Sequence, residues 1–145
     1  MTQTSTDSGI RWHRVSPTPS YSIELPADCA EDIDGSVLSY WRPNDTCALQ
    51  ISSYRRASGD QVTARERLAA RISRDEAGAV APVQLALPYP DYAAALGTDE
   101  QNVTWLYIYI TWPSLSLFVT ISGTKSSILD ERGWARRALA SVRAG

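Results

Sequence analysis

The chain has one histidine and two cysteines, His13, Cys29 and Cys47, and these bound its nucleophilic and metal chemistry. A cysteine nucleophile needs a base and a depressed pKa. His13 sits between Trp12 and Arg14 in no motif with either thiol and reads as structural. Cys47 shares strand parity with Leu49 and Ile51 and reads as a buried, inert thiol. Cys29 stands near Asp28, Glu31, Asp32 and Asp34, whose charge raises a thiol pKa, so it is a poor nucleophile. One histidine and two cysteines eighteen residues apart give no zinc spacing. Asp32-Ile33-Asp34-Gly35 resembles half a calcium loop. Aligning Gly35 with the loop glycine, however, puts Ala30 at the first ligand and Trp41 at the bidentate carboxylate. The match fails, and Asp28–Asp34 reads as a solvated acidic loop.

Other catalytic patterns are missing as well. There is no P-loop, no Gly-x-Gly-x-x-Gly and no Gly-x-Ser-x-Gly. Serine and threonine are numerous, but only His13 or Lys125 could serve as their base. Asn102-Val103-Thr104 matches a glycosylation sequon and, with no signal peptide in view, reads as chance. Arg65, Arg67, Arg71 and Arg74 are diluted by Glu66, Asp75 and Glu76, which indicates a solvated face. The expectation is no catalytic residue, no metal and no cofactor.

What remains is an aromatic face. In Trp105–Gly123 the even positions Leu106, Ile108 and Ile110 are aliphatic, while the odd positions Trp105, Tyr107 and Tyr109 are aromatic. After Pro113-Ser114 the parity flips: Leu115, Leu117, Val119 and Ile121 are odd, and Ser116, Phe118, Thr120 and Ser122 are even. Strand side chains alternate between faces, so a turn at Pro113-Ser114 must pair Ile110 with Leu117, Ile108 with Val119 and Leu106 with Ile121. One face is then aliphatic core. The other carries Trp105, Tyr107, Tyr109 and Phe118, joined in this reading by Tyr92, with Tyr89 in the adjoining Leu87–Tyr92 loop. Aromatic residues dominate interface hot spots, so these six are the candidate binding residues, unless a helix covers them.

The elements around this hairpin follow from pattern and punctuation. Residues 1–9 are Thr/Ser/Asp-rich and read as a flexible tail, and residues 10–145 as one domain. Ile10–Val15 and Tyr21–Leu25 are short strands separated by Ser16-Pro17-Thr18-Pro19, and Ala27–Asp34 is a loop. Gly35–Trp41 and Cys47–Tyr54 form a hairpin pairing Leu38 with Ile51, Tyr40 with Leu49 and Ser39 with Gln50. A first helix begins at Ser58 with Gln61 completing a capping box, buries Val62, Leu68, Ala69 and Ile72, and ends at Ala77 before Gly78. Val80–Leu87 is a strand. Tyr92–Gly97 turns back at Thr98–Gln101, pairing Ala94 with Trp105 and Tyr92 with Tyr107. A last helix runs from Ser126 or Ser127 to Val142. Consecutive strands joined by tight turns predict an α+β fold, an antiparallel meander covered by two amphipathic helices.

Composition is that of an ordinary globular protein, 43% hydrophobic and 21% charged. The net charge is −2, so nothing supports a nucleic-acid role. The N-terminal stretch has neither a basic nor an apolar signal region, and no apolar run reaches membrane-spanning length. The expected location is cytoplasmic, with both cysteines reduced and no membrane partner.

The opening strand Tyr-Ser-Ile-Glu-Leu-Pro, the hairpin through Ala48-Leu49-Gln50-Ile51-Ser52 and the helix end Leu139–Val142 resemble small bacterial proteins of the PsbP-like fold class. That class includes the Ran-binding Mog protein of nuclear import and DcrB-type proteins. Where many such sequences place an aromatic residue three positions after the proline, Cys29 stands here. The resemblance spans most of residues 10–143. It implies an α/β/α-type sandwich around an antiparallel sheet and a non-catalytic protein that binds other proteins, with no functional residue carried over. The reading is a protein-binding domain of the immunity or adaptor type, for which the acidic stretch suits a basic partner. A homodimer seam on the aromatic face fits equally. From another class, a small-molecule-binding protein or enzyme would keep its cavity between sheet and helix.

Overall fold

The computed structural model describes residues 9–75 and 80–145, without the side chains of Arg74 and Asp75. The expected N-terminal tail and the helix end at Glu76–Gly78 therefore lie outside the described residues, the tail except for its last residue. Among the described residues ten strands and three helices follow in chain order. They are β1 (Trp12–Thr18), β2 (Tyr21–Pro26), β3 (Ala30–Asp34), β4 (Val37–Trp41), β5 (Ala48–Arg55), α1 (Ala64–Asp75), β6 (Val80–Pro82), β7 (Tyr92–Thr98), β8 (Thr104–Thr111), β9 (Leu115–Gly123), α2 (Lys125–Leu129), α3 (Trp134–Ala140) and β10 (Arg143–Ala144). A seven-stranded antiparallel sheet has the order β3-β4-β5-β9-β8-β7-β6, and β1-β2-β10 form a smaller sheet. The α+β class holds. No helix among the described residues is long and apolar enough to cross a membrane.

The β8–β9 hairpin has the register its alternation demands: Leu106 faces Ile121, Ile108 faces Val119 and Ile110 faces Leu117. These six side chains are at most 1% exposed. β4 and β5 also pair as expected, Leu38 with Ile51, Tyr40 with Leu49 and Ser39 with Gln50. β5 then docks on β9 with Leu49 opposite Ile121 and Ile51 opposite Val119. The aliphatic rows of two hairpins thus merge into one inner face. Tyr21, Ile23 and Leu25 of β2, Ile128 of α2, Ala135, Ala138 and Leu139 of α3, and Leu85 and Tyr89 of the stretch after β6 close over it in a single core.

Several expectations are corrected. Asp28–Asp34 is not a loop, because Ala30–Asp34 is an edge strand paired with β4. Its turn is Gly35-Ser36, and Gly35 sits at φ 62°, where a glycine is needed. β1 runs on through Ser16-Pro17-Thr18 by means of a bulge. The strand after α1 is only Val80–Pro82. β7 pairs with β8 three residues away from the expected register: Tyr92 faces Ile110, Ala94 faces Ile108 and Gly97 faces Trp105. The tight turn gives way to a five-residue loop, Asp99–Val103, held by Asp99 Oδ1, which accepts from the Gln101 and Val103 amides at 2.9 Å each. The last helix is broken at Asp130–Gly133 into α2 and α3, and the chain returns as β10 against β2.

The capping box of helix α1 lies five residues later than expected, at Thr63-x-x-Glu66. Glu66 N donates to Thr63 Oγ1 at 3.1 Å, and Thr63 N donates to Glu66 Oε1 at 3.0 Å. Residues 56–62 are instead a strap around Arg56, whose guanidinium donates to the carbonyls of Trp112 (2.7 Å), Asp60 (2.9 Å) and Val62 (2.9 Å). Val62 is left exposed, and Ala64 and Leu68 make the buried stripe. Asp91 Oδ2 accepts from Ala64 N at 3.1 Å and also from Thr111 Oγ1, tying the helix start to the end of β8.

Two outcomes test this account. Thr63→Ala should cost about 1 kcal/mol in urea unfolding, whereas Ser58→Ala should be neutral within about 0.5 kcal/mol. Ile108→Ala, in the middle of the inner face, should cost about 2–5 kcal/mol in the same assay.

Candidate functional site

The outer face of the large sheet is set by the inner one, since every neighbour of an inward aliphatic residue points out. Its cross-strand rows follow from the registers. One row runs Trp41, Ala48, Ser122, Trp105, Gly97. The next runs Asp32, Ser39, Gln50, Thr120, Tyr107, Ala95. A third runs Asp34, Val37, Ser52, Phe118, Tyr109, Ala93.

Helix α1 lies over β7 and β8 and covers one side of this face. Ala64 and Leu68 pack on Ala95 and Tyr109, with Ile72, Ala93, Tyr107 and Phe118 at the margin of the cluster. Arg71 marks the border. Its guanidinium carbon lies 4.3 Å from the Phe118 ring centroid, Nε donates to Tyr109 Oη at 3.4 Å, and Nη2 donates to Tyr54 Oη at 3.3 Å. Tyr109 and Phe118 are in ring contact at 4.7 Å. An arginine expected to face solvent is thus part of the aromatic cluster.

Beyond α1 the face is partly open among the described residues: Trp41 and Gln50 are exposed, Trp105, Ala48, Ser122 and Ser39 are half-buried, and Thr120 and Ser52 are buried. Trp105 and Tyr107 stack with centroids 6.4 Å apart and planes 16° apart. Trp105 Nε1 donates to Asp99 Oδ2 at 2.8 Å, so the loop that sets the β7–β8 register also fixes the indole. On the far side of the same row Trp41 is 39% exposed. Three strand spacings separate the two tryptophans, roughly 14 Å. Small Ala48 and Ser122 lie between them, beside a polar ladder. Thr120 Oγ1 donates to Gln50 Oε1 at 3.3 Å, and Gln50 Nε2 donates to Ser39 Oγ at 3.2 Å. Asp32 and Asp34 end their rows as exposed carboxylates and form no ion pair among the described residues.

The six sequence candidates therefore separate. Trp105 lies half-buried on the part beyond α1, Tyr107 and Phe118 lie at the border, half-buried against the α1 cluster, and Tyr109 is buried under α1. Tyr92 and Tyr89 belong to the opposite side of the sheet. Tyr92 Oη donates to Leu85 O at 2.6 Å; Tyr89 Oη donates to Leu139 O at 2.5 Å and accepts from Val142 N at 3.0 Å. Burial pushes the Tyr89 phenol up to about 12. The reason is parity: in the observed β7–β8 register, Tyr92 lies opposite inward Ile110. Trp41 was not among the candidates, although its even spacing from Ser39, opposite Gln50, already placed it on this face.

No hydrogen bond joins His13 to either cysteine among the described residues. His13 is exposed on β1. Burial, and then the charge of Asp28, pushes the half-buried Cys29 thiol up to about 11. Burial raises Cys47 as well, against a hydrogen bond from its Sγ to Ser127 Oγ at 3.3 Å. Asp28 is held below the usual carboxylate range by Arg42, which meets it with two donors at 2.9 and 3.1 Å. No cluster of three metal-ligating side chains occurs among the described residues.

Acid should loosen the open half. The Trp105 indole, and then the Val103 amide, hold the Asp99 carboxyl below its ordinary value. A depressed folded pKa contributes stability that is complete above the ordinary value of about 3.9 and is lost as pH falls through the folded value. Trp105 fluorescence, read as the difference from Trp105→Phe, should change on the acid side of about pH 4. Asp99→Asn should abolish that titration.

No protein-family model matches this sequence, and no curated protein matches it. A solved crystal structure of a protein from Bacteroides thetaiotaomicron VPI-5482 is similar in fold, with a TM-score of 0.59 at 18% identity. The similarity covers 86% of this chain and 45% of the other, so this chain spans less than half the length of that protein. At that identity the likeness concerns the fold alone.

Proposed function

We propose that the chain is a non-catalytic protein-binding domain on a PsbP-like scaffold, and that the uncovered half of the outer sheet face receives the partner. The observation that carries this is the row Trp41–Ala48–Ser122–Trp105, two aromatic platforms flanking a flat floor of small and polar side chains. Such a floor admits another protein's surface, whereas an enclosed ligand site would be concave and mostly apolar. The clefts between α1 and the sheet are open, at about 480 and 370 Å³, and the polar groups of the second belong largely to the Arg71–Tyr109–Tyr54 border.

The chemistry of the partner follows from charge. Asp32 and Asp34 sit at the end of the open rows, and Glu31 lies on the same edge strand. A basic surface complements them, as an immunity-type or adaptor role would require. The same carboxylates oppose a second copy of this chain laid face to face. They also guard the β3 edge against strand addition, while the β6 edge is three residues long and contains Pro82. The partner therefore meets the face, with main-chain pairing at neither edge.

A photoreactive residue placed at Gln50 or Ser39 should cross-link to one partner in cells of the source organism, and one at Ala140 should not. Asp32→Asn with Asp34→Asn should weaken that cross-link at least about threefold, and Trp41→Ala with Trp105→Ala should remove it, with secondary structure unchanged. Equal cross-linking from Ala140, self-cross-linking, or indifference to both double substitutions overturns the reading.

A further inference from the structure

A different cleft, of about 810 Å³, lies in the layer that covers the inner face. It is formed by α3, the β2–β10 side of the small sheet and the Ala86–Pro90 stretch. Five of the chain's thirteen arginines line it, Arg14, Arg132, Arg136, Arg137 and Arg143, against two carboxylates, Glu24 and Glu131. The chain as a whole carries −2. The positive charge of the cleft is therefore a local arrangement, opposite in sign to the protein.

Two of the arginines have their counter-charge. Arg14 Nη2 donates to Glu24 Oε2 at 3.3 Å and to Ser141 O at 2.9 Å, and its Nη1 donates to Ser22 Oγ at 2.8 Å. Arg137 lies 3.9 Å from Glu24 Oε1 and 4.0 Å over the Trp12 ring. Glu24 is thus shared between them. Arg136 differs. It is only 7% exposed, lines the cleft, and has Ile128 O at 3.3 Å as its acceptor, with no carboxylate in ion-pair range among the described residues. A guanidinium has five N–H donors, and a buried charge without a counter-ion is costly. The other wall is apolar: Leu87, Pro88 and Pro90 surround Tyr89, which meets Trp112 edge-on at 5.6 Å.

We infer that this cleft binds a phosphate-bearing small molecule, with Arg136 as the buried counter-charge, Arg132 and Arg143 closing on the phosphate from the rim, and the Trp112–Tyr89 wall taking the ligand's apolar or ring portion. Arginine presents a planar pair of donors that matches phosphate oxygens, and the volume suits a ligand larger than the bare ion. This site is independent of the outer face and of the protein partner proposed for it.

Calorimetric titration of the full chain with inorganic phosphate, AMP and adenosine tests the assignment. AMP should bind at least about tenfold more tightly than inorganic phosphate, and adenosine should not bind. Arg132→Gln with Arg143→Gln, both exposed, should leave the unfolding temperature unchanged and weaken AMP at least about tenfold. Arg136→Lys keeps the charge, loses the fork, and should weaken AMP by a similar factor. Absence of AMP binding at about 5 mM overturns the inference. So does adenosine binding as tightly as AMP, or AMP affinity unchanged in both arginine variants.

Discussion

The inner face of β9 is the constraint on which the rest depends. Leu117, Val119 and Ile121 must be covered from both neighbouring strands at once, by Ile110, Ile108 and Leu106 of β8 and by Ile51 and Leu49 of β5. Burying such a side chain is worth about 1.5–3 kcal/mol, and a one-residue slip of either neighbour would exchange the whole set for Ser116, Phe118, Thr120 and Ser122. The register is therefore specified from two sides. The outer face inherits its composition from that choice. It carries aromatics where β8 supplies them, hydroxyls and Phe118 where β9 does, Ala48, Gln50 and Ser52 where β5 does, and Val37, Ser39 and Trp41 where β4 does.

Covering the two faces is an unequal task. Seven strands at about 4.8 Å spacing make a sheet roughly 29 Å across, while a helix is about 10–12 Å wide with its side chains. On the inner side a second sheet, two short helices and the chain after β6 share the work. On the outer side, among the described helices, α1 is the one packed on the sheet, over β7 and β8. One helix of that width cannot also reach β4 and β5. The less covered half is thus a consequence of element count among the described residues, and its exposed Gln50, Asp32 and Asp34 are what a solvated sheet face requires. The two tryptophans standing in that polar setting are what solvation does not require.

Local alternation carried far in the sequence. Both hairpin registers, the aliphatic inner face and the aromatic outer one follow from parity and a turn signal between adjacent strands. What failed depended on other information. The β7–β8 register turned on whether Asp99 would close a longer loop with its own side chain, and moving it by three residues sent Tyr92 to the inner side. The helix start depended on which of two capping boxes won. Thr63–Glu66 did so because Arg56 holds the preceding residues in a strap, an interaction with Trp112 fifty-six positions away. The junction of β5 with β9, the return of β10 to β2 and the gathering of five arginines are contacts between distant segments. No local period encodes them. Trp41 was the exception, since its parity was readable, and only its isolation from other aromatics hid it.

The two candidate surfaces lie in different layers, yet one short segment supports both. Trp112 closes the β8–β9 turn by pairing with Leu115 in both directions, at 2.7 and 3.4 Å. Its carbonyl accepts from Arg56, which fixes the strap leading into α1. Its ring meets Tyr89, whose hydroxyl in turn binds Leu139 and Val142 at the end of α3. Helix α1 bounds the open outer face, and α3 with the Tyr89 stretch bounds the arginine cleft. The hairpin with the aromatic strand is thus also the anchor for the boundaries of both sites. A chain of three hydrogen-bonded or ring contacts holds helix positions that hydrophobic burial alone leaves free to slide along the apolar faces beneath them. Such polar contacts add little to total stability, about 0.5–1.5 kcal/mol each, but they are directional in a way burial is not.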